Sequence, residues 1–109
     1  MLLSDRIQIE MMLEKGTLKM EYLRALPTSN PHKIHATRAR WLMPKEHRKR
    51  VAHTMVFTPW CTFYDLTHHC WQTVQWREIL TIKFRNKIYN YVEELQIEDI
   101  DTAFADQTE

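Results

Sequence analysis

Glycine is nearly absent from this chain of 109 residues, which contains Gly16 alone and no Asn-Gly, Asp-Gly or Gly-Gly pair. Two-residue β-hairpins draw heavily on such pairs, because their turns need residues with positive φ angles. The shortage of glycine therefore favours helices over hairpins.

Long apolar runs are also missing, since no stretch approaches the ~18 residues that a membrane-spanning helix requires. Charged residues follow Met1-Leu2-Leu3-Ser4 where a signal peptide would carry an apolar segment. Cysteine is scarce too, and Cys61 and Cys70 are too few for a secreted disulfide framework. We expect an intracellular, cytoplasmic protein without a membrane partner, with both thiols reduced and largely buried.

The overall composition is that of a folded protein, with 44% hydrophobic and 27% charged residues. The length suits one domain with a modest core. We expect a single domain over residues 1–95, followed by an acidic tail over residues 96–109 that frays.

Charge is distributed unevenly along the chain, although the net charge is only +1. Residues 31–53 contain seven Lys or Arg and a single acid, Glu46. Residues 93–109 contain seven acids and no Lys or Arg. The chain thus has a basic middle and an acidic end, and the basic middle is a candidate surface for an anionic partner.

Apolar residues at helical spacing predict a mainly α fold. The pattern predicts a helix-turn-helix-like core of three helices, over residues 5–15, 18–26 and 31–43. It also predicts a long C-terminal helix over residues 67–95. Residues 45–57 are interpreted as a further helix. The alternative is an α+β fold in which residues 51–66 form a small β-hairpin wing. No family signature accompanies this order of elements.

The third predicted helix occupies the position of a recognition helix, which reads the major groove with small and basic residues. We expect a non-enzymatic regulator that binds nucleic acid, in particular duplex DNA, and that is compatible with a homodimer. Base contacts would come from the outward helix face and phosphate contacts from the run that follows it. The predicted nucleic-acid-binding residues are Lys33, Thr37, Arg38, Arg40, Lys45, Arg48, Lys49 and Arg50.

A second hypothesis is a small protein that binds and inhibits or modulates host machinery, of the kind that viruses and mobile elements encode. Most of the tryptophans lie at helical spacing and are expected in the core, whereas Trp60 follows a Thr-Pro turn and is expected to be partly exposed. The predicted partner surface consists of Trp60, Glu98, Asp99 and Asp101.

Motifs for catalysis or metal binding are lacking. The chain has no glycine-rich phosphate loop, no nucleophile elbow and no metalloprotease helix. His68, His69 and Cys70 form one cluster, but the paired short spacings of structural zinc sites are absent. We therefore expect no catalytic residue, no metal and no cofactor.

Overall fold

The computed structural model describes residues 1–24, 30–48 and 56–91. One α-helix is followed by six β-strands, and three short 3-10 turns cover Arg40–Leu42, Lys45–His47 and Trp76–Glu78. The helix and strands are α1 (Leu3–Lys15), β1 (Leu18–Tyr22), β2 (His32–Thr37), β3 (Trp60–Asp65), β4 (Cys70–Gln75), β5 (Ile79–Phe84) and β6 (Lys87–Asn90).

The strands form one antiparallel sheet in the order β4-β3-β2-β1-β5-β6. Strands β1 to β4 are neighbours in chain order, and the 3-10 turn after β4 returns the chain to the other side of β1. Strand β1 therefore lies in the interior of the sheet, and strands β4 and β6 form its edges.

Alternation of side chains explains why the first strands form where helices were predicted. In β1, Leu18, Met20 and Tyr22 are buried while the intervening Lys19 is exposed. In β2, Ile34 is buried between two exposed neighbours. A period of two places all apolar side chains of each strand on one face, which a helix would distribute around its circumference.

Helix α1 packs against the buried face of the sheet through Ile9, Met12 and Leu13. Apolar residues from β1, β2, β3, β4 and β5 contact the same core, and Trp76, in the 3-10 turn after β4, is 1% exposed. Burial of large apolar side chains of this kind stabilises a fold by roughly 1.5–3 kcal/mol each. The core strand residues include Leu18, Met20, Ile34, Phe63, Val74, Ile79 and Ile82.

The mainly α, helix-turn-helix-like prediction is wrong, and α1 is the only predicted helix found among the described residues. Residues 18–26 and 31–43 contain β1 and β2, and residues 67–95 contain β4, β5 and β6. The alternative wing at residues 51–66 correctly places a strand from Trp60, but that strand pairs with β4 and β2. Residues 51–55 lie outside the described part of the chain.

The tight turns of this sheet use residues other than glycine. The mainly α prediction is wrong because it took the lack of glycine as evidence against hairpins. Arg85 and Asn86 join β5 to β6 with φ angles of 50° and 66°, and His69 precedes β4 with φ 57°. Two successive positive φ values match a type I′ turn, which suits the twist of paired strands. Non-glycine residues reach this region at a cost, so a lack of glycine disfavours such turns without excluding them.

Candidate functional site

The outer face of the sheet collects lysines from three neighbouring strands. Lys19 in β1 pairs with Lys83 in β5 and with His35 in β2, and Lys33 in β2 pairs with Glu21 in β1. Directly paired residues point to the same face of an antiparallel sheet, here the face opposite the core. We call Lys19, Lys33, Lys83 and His35 the lysine face; all four side chains are exposed.

One acid lies among these bases in the described structure. Glu21 is half-buried, its Oε2 lies 3.7 Å from Nζ of Lys33, and its Oε1 accepts a hydrogen bond of 3.4 Å from Thr81. Neither Lys19 nor Lys83 forms an ion pair with another described residue. Two cations thus oppose each other directly with no carboxylate of their own.

A shallow groove of about 220 Å³ runs along the lysine face. Its apolar rim includes Ile88 of β6, which pairs with Lys83 and is 68% exposed. Three of its lining residues are lysines, and one, Glu21, is an acid. Its lining consists of Lys19, Met20, Glu21, Lys33, Thr81, Ile82, Lys83 and Ile88.

Thr37 and Arg38, both predicted to contact nucleic acid, are instead buried beneath the end of α1. The Thr37 hydroxyl donates to the Gly16 carbonyl at 2.7 Å, and the Arg38 N–H donates to the Leu13 carbonyl at 2.8 Å. The last carbonyls of a helix have no partner within the helix. These two residues therefore join β2 to the C-terminus of α1.

The Arg38 guanidinium forms an ion pair with the buried carboxylate of Glu10 and lies 3.7 Å from Glu14. Burial lowers the pKa of Arg38, and the nearby Cys61 opposes that effect. Burial likewise raises the pKa of Cys61 to about 12, although Arg38 lowers it in part. Both side chains are almost completely shielded from solvent.

The remaining predicted nucleic-acid contacts are separated from one another. Arg40 and Lys45 are exposed, each at the start of a 3-10 turn, whereas Arg48 is half-buried and its Nε donates to the Met43 carbonyl at 3.2 Å. Lys49 and Arg50 lie outside the described residues. Of the six predicted residues that the structure describes, Lys33 is the one that belongs to the lysine face.

Asp65 organises the turn between β3 and β4. Its Oδ1 accepts hydrogen bonds from the backbone N–H groups of Thr67 and His68, and its Oδ2 accepts from His68 Nδ1 at 2.7 Å and Gln72 Nε2 at 3.2 Å. Burial alone would raise the pKa of Asp65, but these bonds together hold it below its ordinary value. A buried carboxylate with four donors stabilises the turn.

Residues 38–48 are fastened to this hairpin by aromatic contacts. Trp71 Nε1 donates to the His47 carbonyl at 2.7 Å, and the His47 ring lies within hydrogen-bond distance of the Tyr64 hydroxyl. The Tyr64 and Trp71 rings also meet edge to face. This segment therefore covers β3 and β4 on the outer face of the sheet. On the same face, Lys19 of β1 and Lys83 of β5 are exposed to solvent.

Exposed aromatic residues mark a separate part of the surface. Trp60 is 45% exposed, as predicted, but Trp41 is 67% exposed and contradicts its prediction as a core residue. Phe57, in the turn before β3, is 79% exposed. Of the predicted partner surface, Glu98, Asp99 and Asp101 lie outside the described residues.

The two cysteines lie at opposite ends of the β3–β4 hairpin. Cys61 is buried and pairs with Val74, whereas Cys70 pairs with Asp65 and is exposed, contrary to the expectation that both thiols are buried. Within residues 1–24, 30–48 and 56–91, no group of three or more His, Cys, Asp or Glu side chains could hold a metal ion.

The lysine face is not evident from the sequence, because its members are distant in the chain. Lys19 and Lys83 are separated by sixty-three other residues, and only the pairing of β1 with β5 makes them neighbours. A signal was nevertheless present, since Lys19 and Lys83 each stand between apolar residues in an alternating segment. If both segments were helices, Lys19 and Lys83 would not be paired on one face.

No described helix is both long and apolar enough to cross a bilayer. Comparisons of the chain with models of protein families, with curated proteins and with solved structures find no match. The function proposed below therefore rests on the geometry and charge of this chain.

Proposed function

We propose that this protein binds nucleic acid through the lysine face, with Lys19, Lys33 and Lys83 contacting phosphates. The observation that carries the proposal is the direct pairing of Lys19 with Lys83 on one exposed face. Like charges placed opposite each other destabilise a sheet. A bound anion would remove that repulsion, whereas the fold itself gains nothing from it.

The charge of the folded region supports a polyanionic ligand. The described residues include thirteen Lys and Arg and seven Asp and Glu, which is a net charge of +6. Two of those acids, Glu10 and Asp65, are buried. An excess of positive charge attracts nucleic acid and raises its association rate.

The lysine face favours phosphate contacts over the reading of base sequence. Lysine presents a compact point charge on a flexible side chain, and such contacts position nucleic acid without specifying bases. The large exposed apolar side chain at the groove is Ile88, which is aliphatic and offers no aromatic ring for base stacking. We therefore expect duplex binding with little sequence preference.

The test is fluorescence anisotropy of a labelled mixed-sequence duplex, titrated with protein at several salt concentrations. Three phosphate contacts predict a slope of log K against log salt of about −2.7, and each of the changes Lys19→Gln, Lys33→Gln and Lys83→Gln should reduce its magnitude by about one.

Lys87→Gln is the matched control, because it removes the same charge from a neighbouring strand. Lys87 pairs with the buried Phe84 and its Nζ lies over the Tyr89 ring, so it points to the other face of the hairpin. The proposal requires a smaller effect from Lys87→Gln than from Lys83→Gln. Equal effects would indicate net charge alone and contradict binding at the lysine face.

A second candidate function is protein binding through the turn that contains Phe57 and Trp60. Two large aromatic side chains are exposed close together, and exposed aromatic residues frequently anchor protein interfaces. Arg6 holds this turn in place, because its Nη1 donates to the Val56 carbonyl at 2.8 Å.

This second function is tested by affinity capture from nuclease-treated lysate with wild-type protein and with a Phe57→Ser/Trp60→Ser variant. One stoichiometric protein retained by the wild type and lost by the variant supports it. Equal capture by both, or none by either, counts against it.

A further inference from the structure

A second groove lies between α1 and the β5–β6 hairpin, away from the lysine face. It has a volume of about 470 Å³. Ile7 and Met11 form one wall on the helix, and Phe84 and Tyr89 form the other. We call it the helix–hairpin groove; its lining consists of Ser4, Asp5, Ile7, Gln8, Met11, Met12, Lys15, Phe84, Arg85 and Tyr89.

The helix wall of this groove carries apolar side chains that the core does not use. Ile7 is 44% exposed and Met11 is 51% exposed, and they lie four residues apart on one face of α1. Leu3, four residues before Ile7, is also 46% exposed. A continuous apolar stripe of this kind indicates a surface that is covered by another segment.

Positive charge surrounds the apolar floor at one end. Lys15 and Arg85 line the groove, and Lys87 follows Arg85 across the hairpin turn. Asp5 is the acid in the groove, at the other end of the helix, and its carboxylate accepts a hydrogen bond from the Leu2 N–H at 3.2 Å. The groove therefore suits a ligand that combines apolar and acidic side chains.

The chain itself carries such a segment directly after β6. Residues 92–109 contain seven Asp and Glu and no Lys or Arg. Ile97, Ile100 and Phe104 recur at intervals of three and four, which is the spacing of one apolar face on a helix. Peptides with this pattern characteristically bind in apolar grooves of partner proteins.

Where the described chain ends also favours this segment as the occupant. Tyr91 is buried, and its N–H donates to the Leu80 carbonyl, so the chain is held in the sheet up to that residue. Tyr89, two residues earlier, already lines the helix–hairpin groove. A tethered segment that starts so close to its site has an effective concentration of about a millimolar, which makes a weak contact sufficient.

We propose that residues 92–109 of this chain bind in the helix–hairpin groove. Ile97, Ile100 and Phe104 cover Ile7 and Met11, while the acidic residues lie near Lys15 and Arg85. The proposal is independent of nucleic-acid binding, because the groove and the lysine face have no lining residue in common.

The experiment measures how fast N-ethylmaleimide modifies a Met11→Cys thiol in full-length protein that also carries Cys70→Ser. Cys61 is 0% exposed, so the new thiol is the accessible one in the described structure. A neutral reagent avoids repulsion by the acidic segment. We expect Ile97→Ser/Ile100→Ser/Phe104→Ser, added to this protein, to speed modification about fivefold, because it releases a tethered contact of modest strength.

A Phe57→Cys thiol, in the same Cys70→Ser background, is the control, since Phe57 is highly exposed and is not among the residues that line the groove. Its modification rate should be unchanged by the triple substitution. Unfolding in urea verifies that every variant is folded at the start. Equal Met11→Cys rates with and without the triple substitution overturn the proposal.

Protein concentration separates this segment from other occupants of the groove. An intramolecular contact predicts the same protection of the Met11→Cys thiol at all protein concentrations. Protection that increases with protein concentration would assign the groove to a second copy of the chain and overturn the proposal. Lys15→Gln/Arg85→Gln should also speed modification, because it removes the charges that face the acidic segment.

Discussion

Lys33 and Arg38 lie five residues apart, one within β2 and the other directly after it, and their surroundings are opposite. Lys33 is exposed on the lysine face, where a half-buried glutamate is its ion-pair partner. Arg38 is 4% exposed and forms an ion pair with the buried Glu10 of α1. The basic run over residues 31–50 predicts both residues on one nucleic-acid surface.

The difference shows that a basic stretch in a sequence does not define a basic surface. Lys33, near the start of β2, is exposed to solvent on the outer face of the sheet. Arg38, directly after β2, lies at the C-terminus of α1, where it is buried. The lysine face takes most of its lysines from β1 and β5 instead. Strand pairing, and not proximity in the chain, brings these charges together.

Arg38→Met should produce the largest loss of stability and thereby sharpen this comparison. Removing one partner of a buried ion pair leaves an uncompensated charge on Glu10, which costs about 3–5 kcal/mol. We expect that decrease in the free energy of unfolding measured in urea. Lys33→Gln should change the same quantity by less than about 0.5 kcal/mol.

The double variant Glu10→Gln/Arg38→Met identifies the cause of that loss. Removing both charges should recover a large part of the stability, because no unpaired ion then remains in the interior. A double variant as unstable as Arg38→Met alone would instead assign the loss to packing and hydrogen bonds of the arginine side chain.

Asp65→Asn should have an intermediate effect, because an amide cannot accept all the hydrogen bonds that the carboxylate receives. A loss of about 1–3 kcal/mol is expected near neutral pH. The folded pKa of Asp65 is lowered, so its contribution is present above the ordinary value near ~4 and disappears as pH falls through the folded value.

Urea unfolding between about pH 7 and pH 2 checks this expectation, given that the ordinary aspartate pKa is near ~4. The stability of the wild type should decrease more steeply with acid than that of Asp65→Asn. Glu46→Gln, at an exposed position, serves as the control and should retain the wild-type pH dependence. Parallel pH profiles for wild type and Asp65→Asn would contradict the role of the carboxylate.

Lys83→Gln should have a smaller effect on stability than Arg38→Met or Asp65→Asn, and with the opposite sign. It removes the repulsion from Lys19 and should stabilise the protein by about 0.2–1 kcal/mol at low salt. The same variant should bind duplex more weakly, so stability and binding change in opposite directions. Urea unfolding at low and high salt measures the gain, which added salt should reduce.

The fold was predictable from the sequence only in part. Helix α1 was predicted correctly, although it begins two residues before the predicted start, because its apolar residues recur at helical spacing and Gly16 follows its last residue. Strand β1 was missed because Leu18 and Tyr22, four residues apart, fit both a helix and alternating strand positions. Strands β5 and β6 were missed in part because the turn between them, Arg85-Asn86, contains no glycine that would indicate a hairpin.

The candidate site was less predictable than the fold. Lys33 was identified from the basic run, but Lys19 and Lys83 occur in segments with unremarkable local charge. Their role follows from the register of β1 against β5, which depends on long-range pairing. Thr37 and Arg38 were expected on the surface but are buried. The residues near them in the sequence do not indicate that the C-terminus of α1 covers them.

The sequence by itself determined the first helix, the exposed position of Trp60 and the opposition between a basic folded region and an acidic C-terminal segment. These features depend on composition and on neighbours within a few residues. Only the tertiary structure decided that the basic middle is divided between a buried junction and an open face, and that lysines from distant strands meet. Antiparallel pairing joins segments far apart in the chain, and their register fixes which charges are buried and which face solvent.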